Sequence, residues 1–180
     1  TFYSISNCQE GLERVTLGNF LIKRVVYELQ EELPNIKNFG TLSPIPGFRD
    51  WFSLLDEKKV NNIVGNSFEK ISFLKSANLK IGDNRIVSNK DIISKLVLHY
   101  LMNEKNKKGL PINDVCRFHL GNGAIIDDIV INANISGVGF ERSFGIMVNY
   151  LYELGDIEKN HEDYINYKKN IISKKLKKKL

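Results

Sequence analysis

From Ser43 to Phe48 the chain reads Ser-Pro-Ile-Pro-Gly-Phe. Each proline removes a backbone donor and pushes the residue before it toward extended geometry, so no helix can run through this stretch. The sequence predicts a stiff loop here, with ordered elements on both sides. Upstream, residues 1–6 (Thr-Phe-Tyr-Ser-Ile-Ser) are rich in aromatic and β-branched types and read as a strand, closed by the polar stretch from Asn7 to Gly11. Phe20, Leu21, Val25 and Leu29 then repeat at helical spacing behind Gly18-Asn19, with Asn19 as a candidate cap and Pro34 as the stop. Downstream, Phe48, Trp51, Phe52 and Leu55 keep the same spacing, which predicts a short helix anchoring the loop to the core.

Residues 57–88 are polar, with one further helix suggested by Phe68, Ile71 and Leu74. Asn89 is a plausible cap for a helix whose stripe is Ile92, Ile93, Leu96, Val97, Tyr100 and Leu101. Beyond Val115 the pattern changes to strands, Cys116 to Leu120 and Ile125 to Ile131, joined as a hairpin through Gly121-Asn122-Gly123. Ile146, Val148, Tyr150 and Tyr152 alternate with their neighbours and predict a late strand. A last helix carries Ile157, Tyr164, Ile165, Ile171, Ile172 and Leu176 on one face and lysines on the other. Helices and strands alternate early and strands cluster late, so the expected class is α/β, a mixed central sheet flanked by helices.

Charge reads differently by region. The 180 residues hold 26 Lys+Arg and 21 Asp+Glu, a net charge of +5. Seven of the lysines fall in residues 168–180, which contain no acid, and without them 19 basic face 21 acidic residues. The basic balance therefore belongs to the C-terminal stretch, and no nucleic-acid footprint is expected on residues 1–167. A solvated helix end or contact with an anionic surface would both suit residues 168–180. No apolar run approaches the ~18 residues that span a bilayer. Cys8 and Cys116 form neither a disulfide framework nor a zinc motif, which favours a reducing compartment and leaves core packing and intermolecular linkage as their alternatives. The chain opens without Met inside a strand-like segment, so it is expected to be the C-terminal part of a longer polypeptide.

Three places hold candidate chemistry. The turn Glu13-Arg14-Val15-Thr16-Leu17-Gly18-Asn19 leads into a helix, whose first N–H groups suit a pyrophosphate, although an ordinary cap has the same appearance. Ser43 sits on the proline-stiffened loop, either to position a ligand or to close a local turn with its own backbone. His119 precedes a glycine turn, where it can exchange protons in a cleft or serve as a bonded core histidine. His99 and His161 receive structural readings, and the three scattered histidines make no metal site. Asp127 and Asp128, adjacent on a strand, do not form a proton-sharing pair.

Taken in order, these motifs resemble the C-terminal catalytic domain of malonyl-CoA decarboxylases. The resemblance rests on residues 2–6, 17–26 (LGNFLIKRVV), 42–48 (LSPIPGF), 118–124 (FHLGNGA) and 145–152 (GIMVNYLY). It implies a GNAT-like acyl-CoA-binding fold, malonyl-CoA as substrate with Glu13 to Asn19 at the coenzyme A loop, and no metal or organic cofactor. Ser43 and His119 are implied to act at the malonyl group, with Tyr152 near the site. The reaction implied is loss of CO2 to give acetyl-CoA, a step in the control of fatty acid metabolism. An acyl-CoA-dependent N-acyltransferase and a non-catalytic acyl-CoA-binding module are the alternatives. The resemblance further implies an intracellular setting (cytosol, mitochondrion or peroxisome) and homo-oligomer assembly through an N-terminal helical domain absent from this chain. The sequence departs from the family pattern at Arg14, where a glycine is expected, at Asn134, where an aspartate is expected, and at Ile131, where a tryptophan is expected.

Overall fold

The computed structural model describes residues 17–178. The chain divides between Phe39 and Gly40 into two compact units. The first contains α1 (Leu17–Glu32), whose last turn closes through Leu33 N–H donating to the Leu29 carbonyl just before Pro34. The helix begins at Leu17, so Asn19 lies inside its first turn and is not the cap. The strand expected over residues 1–6 lies outside the described residues.

The second unit is built on three strands in the spatial order β1-β3-β2: β1 (Phe39–Pro44), which it contains from Gly40 onward, β2 (Ile125–Val130) and β3 (Met147–Tyr152). Between β1 and β2 come α2 (Phe48–Leu54), α3 (Glu57–Val64), α4 (Phe68–Ile71), a 3-10 turn (Ser72–Lys75), α5 (Asn84–Ser88), α6 (Lys90–Met102) and α7 (Asp114–Gly121). After β2 come α8 (Gly137–Ser143), then β3, α9 (Ile157–Tyr167) and α10 (Lys174–Lys177). This is the α/β class expected, a sheet flanked by helices. β2 and β3 run antiparallel with Ile126 opposite Tyr150 and an irregularity between Ile126 and Asp128. That bulge lets Ile126 and Ile129, three apart, both be buried. No helix among the described residues is long and apolar enough to cross a membrane.

Five sequence expectations change in this unit. β1 continues through Ser43 into Pro44, so the stiff loop is only Ile45 to Gly47; a proline as the last strand residue sacrifices no ladder donor that the sheet needs. Residues 57–88 hold several short helices instead of one, started by local caps: Asp56 Oδ1 accepts from Lys59 N–H at 2.8 Å, and Asp83 Oδ1 from Arg85 N–H at 2.9 Å. Asn89 precedes α6 but does not cap it, because its amide donates back to the Arg85 carbonyl at 2.9 Å.

The fourth change bears most on the candidate site. Residues 114–121 form a helix, not the first arm of a hairpin. Apolar and polar side chains alternate from Cys116 to Leu120, which imitates a strand, but Asn113 Oδ1 accepts from Cys116 N–H at 2.8 Å and starts a helical turn. Cys116 and Leu120, one turn apart, then share a buried face. Gly123 ends this segment at φ 81°, and a Cβ there would run into the Ile157 carbonyl.

Fifth, the C-terminal helix is not continuous. Lys168 takes φ 53°, its N–H donates to Tyr164 O at 2.9 Å and the Lys169 N–H to Asp163 O at 3.3 Å, the paired bonds that terminate a helix. Ile171 to Ser173 then lie along the edge of β2: Ile126 N–H donates to Ile171 O at 3.0 Å and Ser173 N–H to Ile126 O at 2.9 Å. Lys175 pairs with Asp128 at 2.7 Å, and Leu176 is buried. Part of the basic stretch therefore covers a sheet edge that would otherwise expose backbone groups.

Replacing Gly123 with alanine is expected to destabilise the domain by about 2 kcal/mol or more, from left-handed backbone and the clash with α9 together. For a chain of this size that corresponds to a fall in Tm of roughly 4–8 °C, read by thermal denaturation. An unchanged Tm would show that α9 yields to the added methyl.

Candidate active site

Three elements deliver three side chains to one place. Ser43 stands near the end of β1, Tyr152 ends β3, the neighbouring strand, and His119 lies in the last turn of α7. The turn after Ser43 is held from two sides, since Tyr100 Oη donates to the Pro46 carbonyl at 3.0 Å and Asn113 Nδ2 donates to the same oxygen at 2.9 Å. Gly47 at φ 79° reverses the chain into α2, whose Phe48 ring is fully buried edge-on to Tyr100 and Phe144. Asn113 therefore starts the helix of His119 through its Oδ1 and ties down the loop of Ser43 through its amide.

The turn behind His119 is fixed by α9. His161 Nδ1 lies 2.6 Å from the Gly121 carbonyl, and Asn160 Nδ2 donates to the Gly123 carbonyl at 3.3 Å. His161, read from sequence as structural, is used in that way. His99 is likewise structural: its ring stacks on Trp51 at 6.2 Å, and its Nε2 lies 3.7 Å from Glu104.

His119 is bonded at both ring nitrogens. Its Nε2 lies 2.9 Å from Ser43 Oγ and its Nδ1 lies 2.8 Å from Tyr152 Oη. Ser43 Oγ in turn donates to Thr41 Oγ1 at 3.0 Å, its neighbour on the same face of β1. A neutral imidazole donates through one nitrogen and accepts through the other. With the Ser43 proton directed to Thr41, the consistent arrangement has Nε2–H donating to Ser43 and Nδ1 accepting from Tyr152. In this direction the Ser43 and Tyr152 hydroxyl protons each have an acceptor, and the half-buried Thr41 ends the line near solvent.

The surroundings are dry. Ser43 and His119 are each 6% exposed and Tyr152 is 2% exposed. The His119 ring lies flat on Tyr150, with centroids 4.3 Å apart and planes 19° from parallel, while Phe118 meets it edge-on at 5.2 Å. Burial disfavours the charged imidazolium and pushes His119 down to about 4. Burial also holds the Tyr152 and Tyr150 phenols above their ordinary range, and it pushes the Cys116 thiol up to about 12. Cys116 is wholly buried, so of its two alternatives core packing is the one realised.

The site therefore unites Ser43, His119 and Tyr152 from the sequence candidates. Glu13, Arg14, Val15 and Thr16 lie outside the described residues, and Leu17, Gly18 and Asn19 form the first turn of α1. Thr41, Asn113 and Tyr150 were not singled out by sequence. Only the alternation that puts Tyr150 and Tyr152 on one face of β3 could have signalled the last of them. Asn134 does the turn work open to an aspartate: its Oδ1 accepts from Ser136 N–H at 3.1 Å and from Ser136 Oγ at 2.7 Å. Asp127 and Asp128 take no part in this hydrogen-bonded line.

The buried neutral histidine predicts a pH dependence of stability. Its folded value lies below the ~6.5 of an unfolded chain, so between those values the unfolded state binds the extra proton. Stability is therefore complete above about pH 6.5 and declines as pH falls toward about 4, by on the order of 3 kcal/mol. Urea unfolding of wild type and His119→Gln between pH 7.5 and 4 measures this. The variant should show a shallower decline, and identical declines would exclude a neutral buried His119.

The profile of the malonyl-CoA decarboxylase C-terminal domain matches residues 1–180. The mitochondrial malonyl-CoA decarboxylase of Mus musculus is 36% identical over 186 residues, covering 93% of this chain and 38% of that protein. The corresponding protein of Anser anser anser is 38% identical, with 93% and 37% covered. Among solved structures, malonyl-CoA decarboxylase from Rhodopseudomonas palustris superposes with a TM-score of 0.82 at 38% identity, over 99% of this chain and 41% of that one. The Agrobacterium vitis enzyme superposes at 0.84 and 37% identity, over 99% and 44%. The chain thus spans well under half the length of these relatives. A match over its whole length to the family profile, with relatives above one-third identity, means that the chain belongs to the malonyl-CoA decarboxylase family, whose C-terminal domain it represents.

Proposed function

We propose that this chain is a carboxy-lyase that converts malonyl-CoA to acetyl-CoA and CO2, with Ser43 and His119 as catalytic residues and Tyr152 as the group that orients the histidine. The observation that carries this reading is the buried line Tyr152–His119–Ser43, bonded at both imidazole nitrogens. In the reaction the bond between the carboxylate carbon and the α-carbon breaks, CO2 departs, and the electron pair delocalises into the thioester as an enolate. One proton must then reach the α-carbon. The protonated His119 donates it from Nε2, and the neutral ring that remains keeps its other proton on Nδ1, against Tyr152 Oη. Ser43 keeps Nε2 directed and engages the carboxylate before it leaves.

The low value of His119 in the free protein suits this sequence of events. An anionic malonyl group beside Nε2 favours the imidazolium, so substrate binding itself draws a proton onto the ring. When CO2 leaves, the negative charge moves to the enolate and the proton has a nearby acceptor. Dry walls of Tyr150 and Phe118 strengthen this charge interaction and exclude water from the imidazole. The first turn of α1, with N–H groups that lack helical acceptors, suits the coenzyme A pyrophosphate.

The test is CO2 release from malonyl-CoA with no acyl acceptor present, using the full chain. His119→Gln should lower kcat by about 10²–10⁴-fold with KM little changed. Ser43→Ala should also lose most of its turnover, and the double variant should cost no more than the worse single one, because the two act as a unit. Full activity in His119→Gln, or turnover that appears only when an amine acceptor is added, would overturn the proposal.

A further inference from the structure

We propose that Tyr150 is a positioning residue for this reaction: its ring face, stacked on His119, sets the plane of the imidazole and so the direction in which Nε2 points. The inference rests on the decarboxylase reading above. Hydrogen bonds to Ser43 and Tyr152 lie at opposite ring nitrogens and fix where those nitrogens are. They do not resist tilting of the ring about the line joining them. A flat contact does, and Tyr150 supplies it at 4.3 Å with the planes 19° apart.

The fold makes this contact difficult to lose. Tyr150 and Tyr152 are two residues apart on β3, so one strand face presents a ring to the imidazole face and a phenol to its edge. Tyr150 is fully buried, and Ile126 of the central part of β2 stands opposite it in the ladder. Its buried hydroxyl makes no hydrogen bond with any described residue. The ring is therefore the working part of the side chain and the hydroxyl is not.

Two substitutions separate these parts. Tyr150→Phe keeps the stacked ring, and it should retain kcat within about twofold. Tyr150→Leu keeps an apolar side chain but removes the flat face, and it should lower kcat by about 10-fold to 100-fold with KM almost unchanged, as expected for a misaimed catalytic group. A second readout does not need turnover: the ring protons of His119 should show an upfield ring-current shift by NMR in wild type and Tyr150→Phe, absent in Tyr150→Leu. The proposal is overturned if a folded Tyr150→Leu keeps wild-type kcat, or if Tyr150→Phe loses activity or the shift. Should Tyr150→Leu fail to fold, Tyr150→Phe decides by the same two measurements. A wild-type chain without CO2 release would remove the decarboxylase reading, while the ring-current shift would still report whether Tyr150 sets the ring.

Discussion

Burying an imidazole strips water from both of its nitrogens, a loss that costs free energy unless protein groups replace the lost bonds. His119 keeps both bonds because Tyr152 and Ser43 stand at opposite edges of its ring. Much of the second unit can be understood as the means of holding those two partners. β1 and β3 are adjacent, so their ends bring Ser43 and Tyr152 within one side chain of each other. α7 lays the histidine between them, and α9 closes over the turn that follows.

The same burial that requires these bonds also sets the chemistry. A ring that stays neutral in the free protein does not offer its proton indiscriminately to water. An anion brought beside such a ring would favour its protonated form, as the proposed reaction requires. Tyr150 and Phe118 provide the apolar walls, and Thr41 lets the hydrogen-bonded line end near solvent instead of in an orphaned hydroxyl. Stability and the proposed function thus draw on one set of contacts, as expected where a polar network sits in a low-dielectric interior.

Local signals in the sequence were informative where a residue's own neighbours decide its conformation. The helix ending before Pro34, the short helix after Gly47, the long stripe of α6 and the alternation of β3 all follow from periodicity and backbone chemistry. They failed where two patterns coincide. Cys116 to Leu120 alternates like a strand, yet the Asn113 cap and the buried Cys116–Leu120 face make it a helix. Lys168 adopts a left-handed backbone without being glycine, so the break between α9 and α10 had no mark in the residue types.

Ser43, His119 and Tyr152 could be picked out as candidates from the sequence, since they occur in long ordered motifs that resemble those of a known family. How they act could not be read there. Hydrogen-bond direction, tautomer and the shift of the histidine depend on which atoms lie within 3 Å, and residues 76 and 33 positions apart meet only after the sheet forms. The stack of Tyr150 on His119 belongs to the same class. Sequence determines which side chains a strand face presents, but the element packed against that face decides what they touch.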